Sequence, residues 1–189
     1  MIRIGILGDI GSGKSYVAKN FGYPVFHADI EVGKLYKKDK KVFKKLKKIL
    51  PNYIYLFPVD KNEISKAILA NKFNLKKIIE IIHLEVRKKM NIFLKKNKNK
   101  KIVILDIPLL LENNINKKND ILIFVQSEKI ETLKRLKQRK GFNLKILKKF
   151  KKIQLPLDYK KKKSHFIIKN DFTKLKIKKS ISDILKKIL

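Results

Sequence analysis

The sequence predicts an α/β fold built on a parallel sheet. Short, near-continuous apolar runs alternate with longer segments of helical spacing, and the first run ends in a glycine-rich turn that opens directly into a helix. Apolar runs without polar alternation suit parallel strands, which are covered on both faces. At 189 residues and 44% hydrophobic composition, with 11 Phe and 6 Tyr, the chain can bury the core of one domain.

Ile2 to Leu7 reads as the first strand, followed by a glycine loop and a helix from about Lys14. Pro24 to Ala28 reads as a second strand. Glu31 to Leu50 reads as one lysine-rich helix, because Val32, Leu35, Val42, Phe43, Leu46 and Ile49 recur at steps of three and four, and Pro51 stops it. Asn52 to Val59 is an aromatic loop. Asp60-Lys61-Asn62-Glu63 has capping-box spacing and predicts a helix through Leu69. Leu75 to about Leu94 is a longer amphipathic helix, and Lys95 to Lys101 a polar tract. Ile102 to Leu105 and Ile121 to Val125 return to buried strands. Ser127 is a candidate cap for a helix to about Lys140, where Gly141 breaks it. Leu144 to about Ile153 is a further helix, His165 to Ile168 a fifth strand, and a C-terminal helix starts near Ser180. The expected organisation is a single domain with core 1–30, 101–126 and 164–189, a helical insertion over 31–100 and a lid over 127–163.

Net charge is +33. A field of that sign attracts polyanions, yet only four of the 49 basic residues are arginine (Arg3, Arg87, Arg135, Arg139), and the lysines are scattered over almost every segment. Specific recognition of bases and phosphates favours the planar arginine fork and a clustered face. The composition therefore predicts solvated lysine faces and salt-sensitive, non-specific sticking rather than a dedicated nucleic-acid surface. The chain has no cysteine, which excludes disulfides, thiolate metal sites and a cysteine nucleophile. No apolar run approaches the roughly 20 residues of a membrane span. The N-terminus lacks the pattern of a signal peptide, so a cytoplasmic protein is expected, with a monomer favoured. His27, His83 and His165 have no spacing that suggests a metal triad.

Gly8-Asp9-Ile10-Gly11-Ser12-Gly13-Lys14-Ser15 matches the phosphate-binding pattern G-x-x-x-x-G-K-[ST], placed between a strand and a helix as that pattern requires. Glycines let the backbone N–H groups approach a β-phosphate closely. Lys14 would sit between the β- and γ-phosphates, and the Ser15 hydroxyl would ligate Mg²⁺. A plain strand-to-helix turn would need neither side chain. Asp9, Ile10, Gly11, Ser12, Gly13, Lys14, Ser15 and Tyr16 are thus the candidate ATP-binding residues, with Mg²⁺ as the accompanying cofactor. The dinucleotide pattern G-x-G-x-x-G fails for want of a third glycine. The guanine-reading N-K-x-D is missing after Ile121 to Val125, which argues against a switch GTPase. A small metabolite kinase remains, with an acceptor-binding insertion and a lid.

Several motifs in order carry a resemblance to a specific family: the loop, His27-Ala28-Asp29, His83-Leu84-Glu85-Val86-Arg87, Asp106-Ile107-Pro108-Leu109-Leu110-Leu111-Glu112, Arg135 with Arg139, Gln154 followed by Lys160, and Ile167-Ile168-Lys169-Asn170. Together they resemble the dephospho-coenzyme A kinases, from Met1 to about Asn170. The resemblance implies a P-loop NTPase fold with a five-stranded parallel sheet. It also implies transfer of the ATP γ-phosphoryl group to the ribose 3′-hydroxyl of dephospho-coenzyme A. Asp29 is then the base or positioning acid, or a helix cap, or both. Asp106 ends a strand where it can reach Mg²⁺ through water, or it is a cap or plain strand-end acid. Pro108, Leu109 and Leu110 form an apolar wall at the acceptor, ordered by Glu112. His83 and Arg87, four apart on one helix face, belong to the acceptor subdomain, where Arg87 meets a substrate phosphate. Arg135 and Arg139, read as one helical turn apart, clamp the transferring phosphates, with Lys160 a candidate helper. Against the family pattern, Asp9 stands in place of a glycine, His27 of an acid, Leu84 of a proline, Thr132 of a glutamine, Ser164-His165 of Ala-Asp and Tyr16 of a threonine. The competing readings are another small-metabolite or nucleoside monophosphate kinase and, from a different class, a nucleic-acid-binding P-loop ATPase.

Overall fold

The computed structural model describes residues 1–189. Five parallel strands form one sheet in the order β2-β3-β1-β4-β5, with β1 at Ile2–Gly8, β2 at Val25–His27, β3 at Ile102–Asp106, β4 at Ile121–Gln126 and β5 at Phe166–Lys169. β1 lies between β3 and β4, so its carboxyl end opens at the point where the strand order reverses, the place where open α/β sheets bind ligands. The five expected strands are all present.

Two compact units make up the chain. The first comprises Met1–His27, Asn97–Asn143 and Lys149–Leu189. Its core alternates by strand parity: Ile4 and Ile6 of β1, with Ile102, Ile104, Ile123, Val125 and Ile168, face α1 (Lys14–Asn20) and α9 (Lys174–Ile188). Val17, Ala18 and Phe21 descend from the first of these helices, Ile177, Ile181 and Ile184 from the second. On the opposite face a Cβ at Gly5 would come within 2.6 Å of Leu110, so the loop after β3 presses directly on β1. α8 (Leu157–Lys162) also packs against β1.

The second unit comprises Ala28–Lys96 and Leu144–Lys148. Its axis is α5 (Asn74–Lys96), which buries Leu75, Ile78, Ile82, Val86 and Met90. Against it pack α2 (Ala28–Lys38), α3 (Lys40–Ile49) and α4 (Lys61–Ala70). Glu85 receives Lys45 of α3 at 3.2 Å and Lys88 at 3.1 Å. Partial burial works to raise its carboxyl, but the two lysine hydrogen bonds and charges outweigh that and hold it below its ordinary value. Asp60 caps α4 by accepting from Asn62 N at 2.8 Å, as its spacing predicts, but Glu63 pairs with Lys66 at 2.7 Å.

Four helix expectations need correction. The single helix over 31–50 is two helices, because Asp39 leaves helical geometry and its carboxylate accepts from Lys41 N and Val42 N, restarting the chain as an N-cap. Ser127 does not cap α6 (Lys129–Lys137): Glu128 holds that position, and the Ser127 hydroxyl bonds Thr132 Oγ1 at 2.9 Å. α6 also ends at Lys137, short of Lys140, where Arg139 N turns to Leu136 O and Gly141 takes a φ of 76°. The C-terminal helix starts at Lys174, before Ser180, because Ile177 already belongs to its buried stripe. α7 (Leu144–Lys152) falls where expected, whereas α8 was not anticipated; Pro156 opens it and its lysines mask it.

Candidate active site

The glycine loop joins β1 to α1, and other elements press close against it. At Gly11 (φ 84°) a Cβ would come within 2.7 Å of Leu136 Cγ of α6. At Gly13 (φ 88°) one would collide with the Asn170 side-chain amide. Both positions thus need glycine for conformation and for space. The Lys14 ammonium lies over the loop, donating to Asp9 O at 2.7 Å and Gly8 O at 3.2 Å. Asp9 Oδ1 accepts from Ile10 N at 2.7 Å, and its other oxygen pairs with Lys151 at 3.1 Å. Ser12 is buried, its hydroxyl oxygen without a protein partner. Ser15 and Tyr16, in the first turn of α1, are exposed.

Beside the loop, at the carboxyl ends of β2 and β3, His27 and Asp106 stand in register, and His27 Nδ1 lies 2.8 Å from Asp106 Oδ2. Asp106 is 5% exposed. His27 and Asp106 are thus paired across the two strand ends.

After β3 the segment turns sharply. Leu109 adopts a φ of 59°, a strained conformation for a leucine, and both Asn113 N and Nδ2 donate to its carbonyl. Leu110 is buried against β1, which leaves Pro108 and Leu109 as the partly exposed face of this segment. The Glu112 carboxylate points inward. Its Oε1 takes Lys160 Nζ at 2.6 Å and Leu155 N at 3.0 Å, while Oε2 is buried without a partner. Lys160 is 3% exposed, so its ammonium is an internal tie of this loop to α8, and it is not free to assist at the phosphates.

Arg135 and Arg139 are not one helical turn apart. Arg135 lies on α6, whereas Arg139 lies two residues beyond its end, in the turn. Arg135 Nε donates to Glu131 at 2.8 Å, and its guanidinium sits 4.0 Å from the ring centroid of Phe172. In this arrangement its guanidinium is a stacking group on an aromatic ring.

A family model described as dephospho-CoA kinase matches residues 2–176. The chain belongs to this family. Among its relatives, the dephospho-CoA kinase of Wolbachia sp. subsp. Brugia malayi is 34% identical over 96% of this chain and 95% of its own length. Among solved structures, TT1252 from Thermus thermophilus superposes with a TM-score of 0.78 at 24% identity, covering 100% of this chain and 97% of that one. The dephospho-CoA kinase from Campylobacter jejuni gives 0.63 at 22% identity, covering 98% of this chain and 96% of that one. At such identities the two structures show a shared fold.

Asn170 proves more consequential than its sequence suggests. It is 3% exposed, its Nδ2 donates to Ser12 O at 2.7 Å, its Oδ1 accepts from Phe172 N at 2.8 Å, and its own N donates to Gln126 O at 2.7 Å. One residue therefore joins the glycine loop, through its side-chain amide, to the end of β4, through its backbone N–H. Phe172 is a residue that sequence reasoning missed. Its ring and the Asn170 segment line a cleft of about 690 Å³ together with Gln126, Ser127, Glu131 and Lys176. Lys176 and Thr173 hydrogen bonds hold the neighbouring Asp171 carboxyl far below the usual carboxylate range. The advance signal for this corner was the Ile167-Ile168-Lys169-Asn170 motif, which ends in an asparagine directly after a buried strand.

The remaining candidates belong to the second unit. α2 begins at Ala28, straight after β2, so Asp29 lies within its first turn and is not the residue flanking it. His83, half-buried, and Arg87, exposed, are one turn apart on α5, flanking the buried Ile82 and Val86.

Proposed function

We propose that this chain transfers the γ-phosphoryl group of ATP to the ribose 3′-hydroxyl of dephospho-coenzyme A, releasing ADP and coenzyme A, the last step of coenzyme A synthesis. The observation that carries the reading is the Gly8–Ser15 loop with Lys14 folded over it, at the end of the central strand of a chain whose family match runs from residue 2 to 176.

The acceptor 3′-oxygen forms a bond to the γ-phosphorus, and the bond from that phosphorus to the β–γ bridging oxygen breaks. Loop amides and Lys14 hold the β- and γ-phosphates and take up the charge that develops on the leaving oxygen. Asp29 orients the acceptor hydroxyl and accepts its proton. The nucleoside end of ATP occupies the cleft beside Phe172, where the planar Arg135 stacks, and Arg139 meets phosphate oxygens from the turn beyond α6. On the acceptor side, Pro108 and Leu109 offer the apolar contact, with Leu110 and Glu112 holding them in place from behind. His83 and Arg87 take the acceptor's more distant polar groups.

The donor set suits Mg²⁺. It offers an exposed Ser15 hydroxyl and the Asp106 carboxylate, hard oxygens of the kind this ion takes one or two at a time beside phosphates. His27 engages Oδ2 of Asp106, so Oδ1 is the carboxylate oxygen that would serve the ion, through water. When bound, the ion neutralises charge on the β- and γ-oxygens. No helix is long and apolar enough to cross a membrane, and we read the enzyme as a cytoplasmic one.

Product analysis tests the reading. Incubated with ATP, Mg²⁺ and dephospho-coenzyme A, the protein should yield coenzyme A phosphorylated at the 3′-position, and leave AMP, CMP and shikimate unchanged. Turnover of one of those three without turnover of dephospho-coenzyme A would assign the chain to another small-metabolite kinase activity.

A further inference from the structure

Asp9 gathers cations and donors that the loop would otherwise offer to phosphate. Its backbone oxygen takes the Lys14 ammonium at 2.7 Å and Ser12 N at 3.2 Å, its Oδ1 takes Ile10 N at 2.7 Å, and its Oδ2 takes Lys151 at 3.1 Å. A carboxylate at the mouth of a polyphosphate site repels the ligand unless a cation offsets it, and Coulomb repulsion at a few ångströms is large wherever water is partly excluded. The Asp9 side chain is 17% exposed and that of Lys151 48%, so the acid is fixed in the loop while the lysine is free to reorient on its four-carbon stem.

We propose that Lys151 is a phosphate-binding residue of the nucleotide site, held at the loop by Asp9 and handed to the triphosphate when it arrives. Asp9 is then an internal stand-in for phosphate. It keeps Lys151 docked on the loop and must give up its donors, among them the Ile10 N–H, when the ligand binds. The pair lowers ATP affinity through the acid and restores it through the lysine. This rests on the nucleotide reading of the loop given above.

Calorimetric titration with Mg²⁺ and a non-hydrolysable ATP analogue, at low and high salt, separates the roles. Lys151→Met should weaken binding by about three- to tenfold, the range of a partly exposed charge-assisted contact, and the loss should shrink at high salt. Asp9→Ala should tighten binding by about threefold. The deciding measurement is Lys151→Met in the Asp9→Ala background. Under the proposal the lysine still binds phosphate there, so affinity again falls by about threefold or more. If its removal costs nothing once Asp9 is gone, Lys151 only neutralises the acid and the proposal fails. Unchanged affinity of Lys151→Met in the parent protein overturns it equally. Circular dichroism and the more conservative Lys151→Gln guard against misfolding. A parent protein that takes up no nucleotide would instead refute the nucleotide reading itself.

Discussion

Asn170→Ala removes two side-chain hydrogen bonds, one that ties the glycine loop to the segment after β5 and one that holds the turn at Phe172. Ser12 O loses the Nδ2 donor at 2.7 Å and Phe172 N loses the Oδ1 acceptor at 2.8 Å, both at a residue only 3% exposed. A buried partner left unsatisfied costs about 1–3 kcal/mol. With two such partners, and some relief from water entering the space, the expected destabilisation is about 2–4 kcal/mol. For a chain of this size that lowers the melting temperature by roughly 5–15 °C. Loss of the tie to Ser12 also lets the loop amides wander, and ATP affinity should fall about tenfold, equivalent to about 1.4 kcal/mol. Asn170→Asp sharpens the test. It keeps an oxygen for Phe172 N but faces the Ser12 carbonyl with a second acceptor, so it should be nearly as damaging as alanine despite its matching shape. Differential scanning calorimetry and nucleotide titration read both effects. A melting point lowered by less than about 2 °C together with unchanged ATP affinity would show that the amide does not hold the loop.

Asp29→Asn should depress kcat by roughly a hundredfold or more while leaving ATP affinity near that of the parent, as removal of a general base does; equal steady-state rates for the two proteins would leave the acid no part in proton transfer. Lys160→Met abandons the Glu112 carboxylate in a buried site and should cost about 3–5 kcal/mol in urea unfolding, most of it recovered by adding Glu112→Gln. Failure of the second change to recover stability would refute the ion-pair account. Burial pushes the Tyr36 phenol up to about 12, against about 10 in the unfolded chain, so the folded state keeps its full stability below the lower value and loses it as pH rises between the two. Spectrophotometric titration of the 6 tyrosines should show one late phenolate that disappears in Tyr36→Phe, and an unaltered late step would place that shift elsewhere.

The sheet was legible because buried parallel strands announce themselves as unbroken apolar runs, and Ile102 to Leu105 or Ile121 to Val125 read no other way. The glycine loop was legible because phosphate chemistry demands residues that a simple turn does not. Helix boundaries were less so. The three- and four-residue spacing runs on through Asp39, so nothing in the periodicity separates α2 from α3; only the carboxylate folding back on Lys41 and Val42 does. Lysine saturation hid α8 and the first turns of α9 in the same way. The hardest features were pairings between distant residues. Asn170 and Ser12 are 158 positions apart, Glu112 and Lys160 are 48 apart, and His27 meets Asp106 only because β2 and β3 adjoin in register. Arg135 stands out in the sequence as one of four arginines among so many lysines, but its aromatic neighbour Phe172 lies beyond the last strand, where the sequence offers only a turn.

The interior of the first unit is written almost in one letter. Ile4, Ile6, Ile102, Ile104, Ile123, Ile168, Ile177, Ile181 and Ile184 meet at its centre. A side chain branched at Cβ has few rotamers to surrender on burial, so a centre made of them loses little disorder on folding and offers few alternative packings. Whatever bias fills the exterior with lysine is thus tolerated within, since the residue it favours there is already stiff, apolar and suited to a pleated sheet. A lysine-rich exterior and a stiff isoleucine centre therefore coexist in this unit.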